Sequence, residues 1–235
     1  LEYTICYKNG SYRIYDAKTK IWFVNGRKYR DAKDKISDPD KQYTLPAVYS
    51  SCENPQTNFP ILYDYWYKNG KEHRDERDEN GITLAAHQSA SGTEKWYKNG
   101  KLYRDDKDEK GYSLPNDIFR NEFIPIERWY TDGILYRNEK DENGYFLHCA
   151  CDDYCKSWCN KEGKADRYDL DENGRVLPAY IYDDGSQEWY KNGKRHRDDL
   201  DENGRVLPAI VRSSVRKEWW KNGKKLKDPA KCQII

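Results

Sequence analysis

The densest set of chemically capable side chains in the sequence is HCACDDYCKSWC, from His148 to Cys159. Its thiols, Cys149, Cys151, Cys155 and Cys159, stand at spacings CxC, Cx3C and Cx3C. Thiolates this close can close a tetrahedral zinc site, which contributes folding free energy directly. The paired CxxC arrangement of most such sites is absent, so free structural thiols or two neighbouring disulfides are the weightier expectation. A second set is DLDENG, at 169 and again at 199, which copies the opening of a calcium loop. Asp169, Asp171 and Asn173, and likewise Asp199, Asp201 and Asn203, put oxygens at alternate positions ahead of a Gly. The bidentate acid belonging at the twelfth position is replaced by Tyr180 in one copy and Ile210 in the other. A tight turn that needs Asp, Asn and Gly explains the motif more simply. The expectation is therefore no cofactor, with zinc and calcium as the alternatives.

The histidines are His73, His87, His148 and His196, and two of them occupy a position that holds Tyr29, Tyr103 or Tyr136 elsewhere. A residue exchangeable with Tyr reads as packing against a neighbouring Trp, not as a general base. No GxSxG, HExxH or Gly-rich phosphate loop occurs. The sequence points to a protein that is not an enzyme.

What positions these residues is a repeat. WFVNGRKYRD begins at Trp22, WYKNGKEHRD at Trp66, WYKNGKLYRD at Trp96, WYTDGILYRN at Trp129, WYKNGKRHRD at Trp189 and WWKNGKKLKD at Trp219. WCNKEGKADR at Trp158 carries one extra residue before its Gly, and CYKNGSYR at Cys6 reads as a truncated first copy over residues 1–17. Successive Trp residues are 44, 30, 33, 29, 31 and 30 positions apart, a period of about thirty with one insertion. The whole of residues 1–235 reads as a single repeat domain.

Asn-Gly between aromatic and charged residues is the strongest local signal for a two-residue hairpin, because both turn positions need positive φ. Loop length fixes register, so Lys68 should face Lys71, Tyr67 should face Glu72 and Trp66 should face His73. Trp would then meet an aromatic or apolar residue across the strands, a contact worth roughly 0.2–1 kcal/mol. Neighbouring repeats must supply the remaining stability. Each unit should hold three strands, two turns and no helix: the hairpin, a DENG or DEKG turn, then an apolar run such as RVLPAYIY at 175. Trp22, Trp66, Trp96, Trp129, Trp189 and Trp219 form the expected repeat core. Tyr67, Tyr97, Tyr130 and Tyr190 project to the other strand face and are the candidate contact surface.

Composition agrees with a shallow core. Only 36% of residues are hydrophobic and 35% are charged, yet 14% are aromatic, which separates this chain from disordered ones. Lys and Arg number 42 against 41 Asp and Glu, interleaved, so no basic stripe points to nucleic acid. No apolar stretch is long enough to span a membrane. Seven unevenly spread Cys fit a reducing compartment better than a secreted disulfide framework. A Leu start and the lack of Met fit an excerpt or a processed product.

WYKNGK, HRD and LPA together resemble the MORN-type repeats and the related WYxNGxxHR repeats of bacteria and of large DNA viruses of amoebae. The resemblance covers residues 3–228. It departs from the compact HRxDLPA of the closest repeats by the DLDENGRV that separates HRD from LPA here. The resemblance implies an all-β, elongated antiparallel sheet of tandem hairpins acting as a non-enzymatic scaffold. A seven-bladed propeller is the alternative fold, since seven units could close a ring. On the viral side the resemblance implies a virion component, such as a minor capsid protein, bound to coat or capsid proteins and present in the virion or the host cytoplasm. The alternatives are a glycan-binding aromatic repeat protein, similar at low resolution to choline-binding hairpin repeats, and a bacterial accessory protein of a toxin or secretion system.

Overall fold

The computed structural model describes residues 3–6, 12–15, 19–24, 27–28, 30, 46–53, 60–89, 91–120, 125–212 and 216–228. Among them there is no helix, and every strand pairing is antiparallel. Two compact units emerge, Leu1–Pro125 and Ile126–Ile235. In the first, the main ladder runs through Tyr3–Cys6, Tyr12–Tyr15, Thr19–Val24, Val48–Glu53, Pro60–Tyr65, His87–Ser89, Glu94–Lys95 and Asp117–Arg120, each paired with the one before. In the second it runs through Pro125–Arg128, Ala150–Cys151, Cys155–Ser157, Tyr180–Tyr182, Gln187–Glu188, Ile210–Arg212 and Arg216–Lys221. Neither ladder's last described strand pairs back to its first. The described strands thus form open antiparallel sheets, with no barrel or propeller blade ring.

The Asn-Gly hairpins form as the sequence dictates. Asn69 and Gly70 sit at φ 54° and 78°, Asn99 and Gly100 at 55° and 80°, and Asn192 and Gly193 at 50° and 76°. Positive φ at both turn positions is the mirror-image turn whose twist matches the flanking strands. Register follows: Tyr67 faces Glu72, Lys68 faces Lys71 and Trp219 faces Leu226. The turn of the truncated copy, Asn25–Gly26, Tyr29 and Cys232 lie outside the described residues.

Around Trp66, Trp96, Trp129 and Trp189 the expected three strands per unit become four, because the residues just before the Trp form a separate strand. Glu94–Lys95 belongs to the main ladder, whereas Tyr97–Lys98 pairs with Lys101–Leu102 in the small hairpin. Trp96 lies between them at a corner, its amide donating to the Asn116 carbonyl at 3.0 Å. Trp66, Trp129 and Trp189 mark the same corner through the carbonyls of Ala86, Cys149 and Ala209. In the last copy Arg216–Lys221 runs through Trp219 unbroken. The DENG segments close as Asx turns: Asp78 Oδ1 accepts from the amides of Asn80 and Ile82, and Asp171 Oδ1 from those of Asn173 and Arg175.

The core is a thin layer at these corners. Trp66, Trp96, Trp129, Trp158 and Trp189 are buried beside small residues such as Ala86, Ala179 and Ala209, while Trp22 and Trp219 are half-buried. The largest side chains with almost no exposure are Asp117, Cys149 and Ser186, so the interior is partly polar. Removing a buried indole here should be costly because little else fills the layer. Trp96→Ala is expected to lose about 3–5 kcal/mol in urea denaturation of the full chain, and Trp219→Ala clearly less; equal losses would refute the corner assignment.

Candidate functional site

The chemistry of each repeat gathers on the Trp face, and its main participant is an Arg eight or nine residues later in sequence. The guanidinium carbon of Arg104 lies 3.8 Å from the Trp96 ring centroid, Arg197 sits 3.8 Å from Trp189, and Arg74 and Arg167 sit 4.0 Å from Trp66 and Trp158. Arg30 on Trp22 and Arg137 on Trp129 repeat the arrangement. Desolvated cation–π contacts of this kind reach about 2 kcal/mol. The cross-strand His or Tyr is in register with Trp, yet the indole face belongs to Arg, whose flat cation covers it more fully.

The guanidinium groups of Arg74, Arg104, Arg167 and Arg197 are each held from two sides. Arg104 Nε donates to Asp106 at 2.8 Å and Nη1 to the Pro115 carbonyl at 3.1 Å. Arg197 does the same to Asp199 at 2.9 Å and Pro208 at 3.2 Å, and Arg167 to Asp169 at 2.8 Å. The acid also reaches one repeat back: Asp106 accepts from the Thr83 amide and hydroxyl at 3.0 Å, Asp169 from the Phe146 amide at 3.1 Å and Asp199 from the Val176 amide at 3.2 Å. The indole N–H of Trp96 donates to the Thr83 carbonyl, that of Trp158 to Phe146 and that of Trp189 to Val176, each at 2.7 Å. Backbone of one repeat is thus gripped at N–H and C=O by the acid and the Trp of the next.

His73 and His196, which face Trp66 and Trp189 across the strands, serve the same purpose. His73 Nδ1 accepts from the Asn99 amide at 3.0 Å and His196 Nδ1 from the Asn222 amide at 3.1 Å, each in the turn of the following repeat. His196 Nε2 lies 2.8 Å from Asp198, which fixes the tautomer that leaves Nδ1 free to accept. In the irregular copy Asp166 takes the part of His and accepts from the Asn192 amide at 2.9 Å.

The cation sites suggested by spacing do not assemble. Asp171 and Asp201 cap their own turns, whereas Asp169 and Asp199 face the Arg and the preceding repeat, so the oxygens of DLDENG diverge; Asn173 and Asn203 enter through their amide N–H groups. The four thiols also separate, because strand alternation sends them to different sides. Cys149 Sγ lies 2.7 Å from Cys159 Sγ, Cys151 Sγ lies 3.7 Å from a Glu127 oxygen, and Cys155 Sγ lies near the Lys156 carbonyl. Burial, then Glu127, pushes the Cys151 thiol up to about 12, and burial, then Asp152, pushes Cys155 to about 11. Among the described residues no group of three or more His, Cys, Asp or Glu is placed to hold a metal ion.

Tyr67, Tyr97, Tyr130 and Tyr190 are half-buried. Lys28 Nζ lies 5.1 Å over the Tyr67 ring, and the Tyr190 hydroxyl donates to Glu188 at 2.9 Å. More open surface lies beside them. In the second unit two clefts of about 440 and 320 Å³ flank Tyr168, which is 60% exposed. Tyr136, Asn138, Cys159 and Asn160 line the larger; Tyr190, Lys191 and Asp198 line the smaller. Leu170 and Leu200, at equivalent positions, are 49% and 50% exposed. Sequence pattern could have flagged them, since the same position holds Arg77, Lys107 and Lys140 in other copies.

No family model, curated protein or solved structure matches this chain.

Two acid sensitivities follow. Burial alone would raise the Asp106 carboxyl, but hydrogen bonds from Arg104 and Thr83 outweigh it together and hold it below the ordinary range. A depressed folded-state pKa stabilises above the unfolded value and is lost as pH falls through the folded one. The melting temperature of the wild type should therefore drop more steeply than that of Asp106→Asn below about pH 4; parallel curves would contradict the lock. His148 lies edge-on to Trp129 at 5.2 Å and Trp158 at 6.1 Å, and burial, then Arg137, brings its pKa to about 4. Its contribution is full above the unfolded value near 6.5 and fades toward pH 4. An NMR titration should find its ring neutral at pH 5.5, and a midpoint above 6 would be inconsistent with this packing.

Proposed function

We propose that this chain is a non-enzymatic repeat scaffold that binds another protein, as a structural component of a large virus particle with coat or capsid proteins as its neighbours. The observation that carries the reading is the engagement of Arg, Asp and His side chains in holding one repeat to the next. Groups with catalytic potential are thereby fixed in structural roles, and what the repeats present outward is a periodic surface. Its apolar part in the second unit includes Tyr168, Leu170 and Leu200, a combination suited to the centre of a protein contact rimmed by charge. The viral setting and the capsid neighbours rest on the resemblance of WYKNGK, HRD and LPA alone.

A glycan-binding reading draws on a different observation. The exposed Tyr168 ring stands between two clefts lined by Asn138, Asn160 and Asp198, which supply the aromatic face and planar polar groups that hold a sugar. The two readings separate in one comparison. Leu170→Ser with Leu200→Ser should weaken capture of a coat protein by about tenfold or more in binding measured on virion extract, with the melting temperature nearly unchanged. Unchanged capture, together with saturable binding to a glycan panel that Tyr168→Ala abolishes, would overturn the scaffold reading.

A further inference from the structure

The irregular repeat differs from its neighbours at two positions that face one another. Cys149 occupies the place of Ala179 and Ala209: its carbonyl accepts the Trp129 amide as theirs accept those of Trp158 and Trp189. Its own amide donates to Ser157 as theirs donate to Glu188 and Glu218. Cys159 follows Trp158 as Tyr190 follows Trp189 and Trp220 follows Trp219. A small residue and a large aromatic one are thus exchanged together for two cysteines, and here the sulfurs lie 2.7 Å apart, inside van der Waals contact. Packing alone gives no reason to replace both partners with Cys.

Access is asymmetric. Cys149 is 1% exposed, whereas Cys159 lines the cleft of about 440 Å³. The Cys149 thiol donates to the Cys159 sulfur, which lowers the pKa of Cys159 and, with burial, raises that of Cys149. The more nucleophilic sulfur is therefore the one that a reagent can reach. Cys151 and Cys155 do not compete: the Cys151 sulfur lies against Glu127 and the Cys155 sulfur against the Lys156 carbonyl.

We propose that Cys149 and Cys159 are a modification site at which exchange with an external disulfide, entering through the cleft, forms an intramolecular cross-link. Cys159 thiolate attacks one sulfur of the external disulfide and expels a thiolate, leaving a mixed disulfide. Cys149 sulfur then attacks the Cys159 sulfur, and the second thiolate departs with the Cys149 proton. Two protein thiols are oxidised and one disulfide is reduced to two thiols, so electrons and protons balance. The cross-link closes a short loop and ties the preceding segment to the hairpin that has an Asn160-to-Lys164 turn in place of Asn-Gly.

The test uses the full chain, oxidised glutathione, acid quenching, alkylation in denaturant and mass spectrometry after cleavage at Lys and Asp. Cleavage at Lys156 and ahead of Asp152 separates Cys149 and Cys151 from Cys155, and Cys155 from Cys159. The expected product joins the Cys149 peptide to the Cys159 peptide, with Cys151 and Cys155 alkylated; Cys149→Ser abolishes it while leaving Cys151 alkylated. The melting temperature of the wild type should differ between reduced and oxidised protein, and Cys149→Ala with Cys159→Tyr, which restores the residue types of the next repeat, should fold and lose that difference. A Cys151–Cys155 link, a scrambled set, persistent glutathione on Cys159, or full alkylation of Cys149 and Cys159 would each overturn the proposal.

Discussion

A guanidinium lying flat on an indole, and pinned there by a carboxylate two residues on, is the contact on which the other features of this protein depend. A chain so poor in aliphatic residues cannot build an ordinary core, so it buries flat faces. The cost of desolvating Arg and Asp is offset only where hydrogen bonds are complete. Arg104 meets this condition through Asp106 and the Pro115 carbonyl, while Asp106 meets it through Arg104, Arg77 and Thr83. Replacing one member would strand the others in a dry site, which explains why Trp, Arg and acid recur as a set.

Within each unit the same contact ties one repeat to the next. Trp189 takes the carbonyl of Val176 and Asp199 takes its amide, so the second turn of one unit is completed by the next. His196 and Asp166 extend the grip to the small hairpins, where Gly223 donates to Arg195 and Gly193 to Ala165. Stability in such an array is a sum of weak units and nearest-neighbour terms. Individual character is left to positions outside the lock: Cys149 and Cys159, and the outward Leu170 and Leu200.

Hairpin register was legible because Asn-Gly admits one loop length and therefore one pairing. Trp burial was legible because a large ring recurs once per unit. The partner of the ring was not, since Arg reads in sequence as solvated charge and the cross-strand rule points to Tyr or His. The spacing of Trp, Arg and acid was nonetheless there to see at Trp66, Arg74 and Glu76 and again at Trp189, Arg197 and Asp199. Thiol spacing misled for a related reason: proximity in sequence says nothing of side, and alternation along Ala150–Cys151 and Cys155–Ser157 turned four clustered Cys into a pair and two separate thiols. The DLDENG oxygens diverged because one Asp of each set belongs to a turn and the other to the lock. Of the surface, sequence pattern placed the repeat Tyr residues on the outer face, where neighbouring side chains cover them by half.

The central claim is that the lock couples neighbouring repeats, and amide hydrogen exchange on Arg197→Ala tests it most directly. Loss of the guanidinium should release Asp199 and Trp189 together, so the Val176 amide and the Trp189 indole N–H should both exchange faster than in the wild type. Faster exchange confined to residues 194–199, with Val176 as protected as before, would contradict the account and reduce the Arg–Trp contact to a local ornament of its own hairpin.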